Sequence, residues 1–255
     1  MQHLGGTEEG FVKMMNEKAK QLGMNDTSFK NCHGIDEDGH ETSSYDISLM
    51  SKELINKHPE ITKYTTIWND SLRDGKSELI NTNKLVRNYK GCTGLKTGST
   101  SQALFNLSAS ATRDDLSLIA VVMKAPTSVI RFKNATALLD FGFNNFEYKK
   151  MIEKGDIVNT IKVGKGVKRE LNVITKEESG TLISKGNDLN IEQKVELPDM
   201  IEAPIKKDDV VGKISYILNE KTVGECDLIA KEDIEKINLI NMEQYILDRW
   251  FRLLR

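Results

Sequence analysis

The chain has 255 residues, a formal charge of −2 at neutral pH and 29% charged side chains. That length accommodates one large domain or two smaller ones with a real core, and the near-neutral balance supplies no field for nucleic acid. Three widely spaced cysteines, Cys32, Cys92 and Cys226, match no zinc or redox spacing; they read as small buried thiols and leave the redox compartment open.

The opening Met1-Gln2-His3-Leu4-Gly5-Gly6 has neither the basic nor the apolar region of a signal peptide, so no export address is expected. No stretch has the apolar length of a bilayer span. Thr7 is placed to cap a helix reaching Leu22, with Phe11, Met14, Met15, Lys18 and Leu22 at helical spacing and Gly23 as its stop. Residues 24–43 are polar and turn-rich, a long structured loop. Ser43-x-x-Asp46 has the form of a capping box and predicts a second helix through Ile47, Met50 and Leu54, with Pro59 beyond its end.

Thr65-Thr66-Ile67-Trp68 reads as a short β-prone piece in a polar stretch. Residues 104–111 and 116–122 are strand-like runs joined by Thr112-Arg113-Asp114-Asp115, which predicts a hairpin. From Thr127 a third helix is expected to turn Ile130, Leu138 and Phe141 toward a core and to end near Gly142. Beyond about residue 150 the texture changes to short β-prone segments at 157–163, 171–175, 193–197, 210–218 and 225–229, separated by turn residues, which is the pattern of a small all-β module.

Residues 236–255 differ again. Asn241, Gln244, Asp248, Arg252 and Arg255 fall on one helical face, while Leu239, Ile240, Ile246, Leu247, Trp250, Phe251 and Leu254 fill the other. Such an amphipathic helix can lie on an anionic membrane surface or pack on its own domain or a partner.

The residues that carry chemistry lie in Gly94-Leu95-Lys96-Thr97-Gly98-Ser99-Thr100, just ahead of the predicted hairpin. An edge strand can pair with an extended peptide. On it, the Lys96 ammonium attracts a carboxylate, the Thr97 hydroxyl can donate to it, and Gly98 lets a ligand approach the backbone closely. The Ser99 backbone N–H could form one arm of an oxyanion hole. For the tripeptide alone, a surface turn with a solvated lysine is the competing reading. Arg131, near the start of the third helix, could bind a carboxylate bidentately; a solvated helix arginine is its alternative. His33 and His40 with Asp36 and Asp38 match no zinc or calcium spacing, and the closeness of Ser43 and Ser44 to His40 reads as accidental. No metal or cofactor is called for.

Thr27-Ser28-Phe29-Lys30-Asn31-Cys32-His33-Gly34-Ile35-Asp36, followed by His40-Glu41-Thr42-Ser43-Ser44-Tyr45-Asp46, resembles a stretch of the D-alanyl-D-alanine carboxypeptidases, the low-molecular-mass penicillin-binding proteins. Asn81-Thr82-Asn83-Lys84-Leu85-Val86, then Tyr89 and Gly91, resemble the lead-in to that family's K-T-G strand, one of three motifs of the active-site serine penicillin-binding enzymes beside S-x-x-K and S-D-N. The likeness continues from Ala103 to Gly142, including Arg131.

The resemblance implies an α+β architecture in three parts. Residues 1–147 would be the C-terminal part of a transpeptidase-like catalytic domain with an antiparallel sheet and helices, 148–233 a small all-β domain, and 234–255 an amphipathic membrane-anchor helix. It also implies a serine-type hydrolase that removes the terminal D-alanine of peptidoglycan stem peptides through an acyl-enzyme, in cell-wall biogenesis at the extracytoplasmic face of the bacterial membrane, with β-lactams as inhibitors. Lys96 and Thr97 would hold the substrate carboxylate, Arg131 would support them, Gly98 would give access and Ser99 a backbone donor.

The chain departs from the pattern in having no S-x-x-K and no S-x-N. In the family both precede the segment resembling 7–23, so nucleophile and base are expected before Met1, and the chain as given is expected to be inert. Thr93 stands where the family usually has Asp. The other readings weighed are a non-catalytic fragment that binds a membrane or partner, and a serine β-lactamase.

Overall fold

The computed structural model of the chain describes residues 2–186, 191–218, 220–238 and 250. Two units are distinguished, Met1–Phe146 and Glu147–Arg255. In the first, α1 (Gln2–Gly5) is a single turn. α2 (Glu8–Gln21) starts where the Thr7 hydroxyl oxygen accepts the Gly10 N–H at 3.0 Å, one of the N–H groups a helix start leaves unpaired. Glu8 and Glu9 in its first turn and Lys18 and Lys20 in its last suit the helix dipole.

α3 (Ser44–Lys57) is capped by Ser43, whose hydroxyl oxygen accepts the Asp46 N–H at 3.2 Å. Only half of the expected capping box forms. The Asp46 carboxylate, 1% exposed, instead accepts the Asp26 N–H at 2.8 Å and the Thr27 hydroxyl at 2.6 Å. Its side chain is shorter than the Glu or Gln of a full box, and it braces the preceding loop rather than its own helix.

A 3₁₀ turn (Pro59–Ile61) leads into α4 (Thr62–Thr65). The stretch expected to be β-prone at 65–68 is therefore partly helical. The Thr66 hydroxyl donates to the Thr62 carbonyl one turn earlier at 2.7 Å, and local bonding of this kind outweighs β propensity. β1 (Asn69–Leu72) and β2 (Ser77–Ile80) make a hairpin the sequence pattern did not mark, followed by α5 (Leu85–Asn88).

β3 (Cys92–Thr100), β4 (Leu104–Arg113) and β5 (Leu116–Ala125) form an antiparallel sheet in that order, with β3 on an edge. The predicted hairpin is present. Its two-residue turn, Asp114-Asp115, has φ of 46° and 65°, the left-handed pair that matches strand twist.

α6 (Ser128–Asn145) covers the sheet, capped by the Thr127 hydroxyl oxygen, which accepts the Ile130 N–H at 3.2 Å. Its buried face is not the expected one. Arg131, Ala135, Leu139, Gly142 and Phe143 are buried, whereas Leu138 is 51% and Phe141 62% exposed. Two contacts set this rotation. Gly142 lets the helix approach so closely that a Cβ there would lie 2.4 Å from Leu118, and Arg131 reaches the sheet at the other end. The Arg113 guanidinium sits 4.5 Å from the ring centres of both Tyr89 and Phe143. The Tyr89 hydroxyl donates to Asp140 at 2.8 Å; burial, then that bond, pushes its pKa up to about 12.

Over 146–238 the regular structure of the described residues is all β: β6 (Phe146–Ile152), β7 (Ile157–Gly164), β8 (Glu170–Thr175), β9 (Ser179–Ser184), β10 (Glu192–Glu196), β11 (Met200–Glu202), β12 (Val210–Leu218) and β13 (Lys221–Ala230). Six of them lie in the order β10-β12-β13-β8-β7-β11, and β6 pairs with β9. Leu171 and Val173, Ile214 and Tyr216, and Leu228 fill the core of the second unit from alternate strand positions, as a sheet with one buried face requires, and Ile234 joins them from beyond β13. β9 was missed because its inward positions include Ser179 and Thr181. β11 was missed because it is three residues long. The helix expected over 236–255 falls, from 239 on and apart from Trp250, outside the described residues.

The assignment of the α6 face can be checked by urea unfolding. Leu139→Ala is expected to cost about 2–5 kcal/mol, and Leu138→Ala about 0.5 kcal/mol or less; equal losses would contradict it.

Candidate functional site

Asn81, Thr82 and Asn83 form a polar bracket beside β3. Asn83, 1% exposed, donates its side-chain amide to the Gly94 carbonyl at 3.0 Å, and its oxygen accepts the Leu85 N–H at 3.2 Å. Asn81 donates to the Thr65 and Ile67 carbonyls at 3.1 and 2.9 Å and accepts the Asn83 N–H at 2.9 Å. The Thr65 hydroxyl donates to the Thr93 carbonyl at 2.6 Å. Between the two asparagines, the Thr82 and Thr97 hydroxyl oxygens meet at 2.6 Å. Side chains thus bond the strand to the segment before it, where two backbones without regular pairing would otherwise leave carbonyls unsatisfied.

On this strand Thr97 is buried and Lys96, Gly98 and Ser99 are exposed. The Lys96 ammonium turns back to the Thr97 carbonyl at 2.6 Å. A Cβ built on Gly98 would meet nothing within 4 Å, so no atom of the described residues requires a glycine there. Thr93, the departure noted in the sequence, places its hydroxyl 2.8 Å from that of Ser110 on β4.

Arg131 is not a solvated helix residue. It is 6% exposed, and its guanidinium donates to the Asn106 carbonyl at 3.1 Å, the Gly98 carbonyl at 3.4 Å and the Ser128 hydroxyl at 3.3 Å. Its Nε is buried without a partner among the described residues. The rings of Phe132 and Phe105 lie 4.7 and 5.6 Å from its charge centre. Burial lowers its pKa from the usual arginine value, and no carboxylate among the described residues offsets that. The structure therefore brings a cation from α6 against the Lys96-Thr97-Gly98 strand.

The far end of β3 is tied to the 24–43 loop. Asp36 accepts the Thr100 hydroxyl at 2.6 Å and the Ser101 hydroxyl and Gln102 N–H at 3.2 Å each. The Thr100 bond is the main reason its carboxyl titrates below the usual value. Asn16 of α2 exchanges two 2.8 Å bonds with the Phe29 backbone of the loop; within the loop, Asn31 donates to the Ile35 carbonyl and Glu37, and His40 accepts the Lys30 N–H. Of the side chains that gave the loop its recognisable spelling, Thr27, Asn31, His40 and Asp46 brace the loop itself, and Asp36 ties it to β3.

The first unit thus presents a lysine and an open glycine on an edge strand, with a buried arginine behind it. Residues 1–127 match the family described as D-alanyl-D-alanine carboxypeptidase, and 146–236 match the C-terminal domain of penicillin-binding protein 5. The D-alanyl-D-alanine carboxypeptidase DacF of Bacillus subtilis is 38% identical over 97% of this chain and 64% of its own length. DacC of Escherichia coli is 35% identical over 92% of this chain and 58% of its own length. The structure of penicillin-binding protein 5 from Haemophilus influenzae is 31% identical and superposes with a TM-score of 0.69 over 92% of this chain and 69% of that one. The chain belongs to the D-alanyl-D-alanine carboxypeptidase family. It spans 64% and 58% of the two curated relatives named above.

The tie at Asp36 has a definite pH signature. Its folded pKa is lowered, so the stability it contributes is present above the unfolded value of about 3.9 and is lost as pH falls through the folded one. An NMR titration should place the Asp36 midpoint below that of an unstructured aspartate, and Asp36→Asn should speed amide exchange at Gln102. An ordinary midpoint with unchanged exchange would contradict the tie.

Proposed function

We propose that this chain binds the terminal carboxylate of D-alanyl-D-alanine peptides, as part of a serine-type carboxypeptidase that removes the last D-alanine from peptidoglycan stem peptides. In that reaction a serine attacks the penultimate carbonyl, D-alanine leaves, and water hydrolyses the acyl-enzyme. The residues assigned to this chain hold the substrate. Lys96 and Thr97 bind the carboxylate, Arg131 adds positive potential from behind the strand, and the Ser99 backbone N–H donates to the reacting carbonyl oxygen. S-x-x-K is not among the 255 residues, so the reading concerns the carboxylate-holding part of the site.

The observation that carries the proposal is the open face at Gly98. A glycine in a strand interior weakens the strand unless something approaches closely, and no atom of the described residues approaches here. The second support is a buried cation with no carboxylate beside it, since unpaired buried charge is costly and an anionic ligand relieves it. β-Lactams carry a carboxylate beside a reactive carbonyl and would compete for the same strand. The proposed place of action is the outer face of the bacterial cell membrane, with 236–255 as the contributing surface segment; no described helix is long and apolar enough to cross a bilayer.

Binding of an N-acylated D-alanyl-D-alanine dipeptide, followed by NMR or calorimetry, tests the reading. Gly98→Ala should leave the melting temperature within a few degrees of the parent, because the added methyl meets open space, yet weaken binding by about tenfold or more. Lys96→Gln should lose a comparable factor through the missing charge-assisted bond. Unchanged affinity in both variants would overturn the assignment.

A further inference from the structure

We infer that Thr82 is a positioning residue for the site, one that directs the Thr97 hydroxyl proton toward the ligand carboxylate; the inference rests on the carboxylate-binding reading above. Each threonine hydroxyl has one proton to give and two lone pairs to accept with. The pair at 2.6 Å therefore holds two protons, of which their mutual bond uses one. If Thr97 donates to Thr82, it has nothing left for a ligand. If Thr82 donates, the Thr97 proton is free and Thr97 is polarised to donate more strongly, because hydrogen bonds in a chain reinforce one another. A carboxylate only accepts, so its arrival selects the second arrangement. The order is then Thr82 to Thr97 to carboxylate.

Thr82 can act this way because its position is fixed from both sides. Asn81 is bonded to the Thr65 and Ile67 carbonyls, and the buried Asn83 is bonded to the Gly94 carbonyl of the same strand that carries Thr97. Thr82 is thus held on a bracket attached to β3 itself, at the exposed rim of the site, and its hydroxyl keeps its distance from Thr97 without reorganising when ligand arrives. Lys96 cannot supply this function. Its charge attracts an anion but does not orient the neighbouring hydroxyl.

The test uses the full chain and two ligands, N-acyl-D-alanyl-D-alanine and its C-terminal amide, and reads the ratio of their dissociation constants. That ratio cancels any loss of folded protein, so it remains readable in a destabilised variant, and an effect on strand geometry alone moves both ligands alike. The parent should prefer the acid. Thr82→Val should reduce that preference by roughly fivefold, the size of one hydrogen bond. Thr82→Ser should restore it, and Thr82→Val should have no further effect in a Thr97→Val background. A Thr82→Val ratio equal to the parent's, or additive effects of the two valines, would overturn the relay while leaving the carboxylate site standing. No preference for the acid in the parent would remove the carboxylate site and the relay with it.

Discussion

A guanidinium taken out of water without a counter-ion costs several kcal/mol even after relaxation, and the geometry around β3 follows from how this molecule accommodates one. Arg131 donates to two strand carbonyls and a helix hydroxyl, and its buried Nε has no partner among the described residues. Those bonds fix the rotation of α6, which turns its alanine, leucine and glycine to the sheet and leaves Leu138 and Phe141 in solvent. They also fix the sign of the potential behind Gly98. In the proposed function, the same contact that orients a helix in the core also draws an anion to the edge strand.

The other restraints on that strand are polar as well. Asn83 holds its beginning at Gly94, Thr82 its middle at Thr97, and Asp36 its end at Thr100. Side chains from two segments far apart in sequence thus bond to one strand that has a sheet neighbour on only one side. Such bonds are short-ranged and directional, so they set position more sharply than apolar packing, whose energy varies slowly with small displacements. A ligand site that requires a hydroxyl and an ammonium in register benefits from this arrangement. The β unit is built the other way, around a core of Leu171, Val173, Ile214, Tyr216 and Leu228.

Much of this was legible in the residues. The hairpin was, because strand-like runs flank two aspartates that tolerate left-handed backbone. α2, α3 and α6 were, because Thr7, Ser43 and Thr127 cap as their positions suggest. The α+β class and the family were legible from the loop spelled by Thr27 to Asp46 and from the strand at Lys96. Periodicity did not reveal which face of α6 is buried, because it counts apolar residues and the decisive one was an arginine. It also missed β9, whose inward hydroxyls look like surface, and the 69–80 hairpin, every residue of which lies outside the core. The bracket escaped for a different reason. Asn81, Thr82 and Asn83 resembled a family lead-in, but nothing in their order says that their side chains reach a strand more than ten residues away.

A crystal structure of the chain soaked with N-acyl-D-alanyl-D-alanine would put the proposed anion site on β3, with Arg131 behind it, to the sharpest test. The dipeptide carboxylate is expected about 3 Å from the Lys96 ammonium and the Thr97 hydroxyl, with the peptide passing over Gly98. A carboxylate seated away from this strand, or one held at the 24–43 loop with Lys96 still turned to its own backbone, would contradict it.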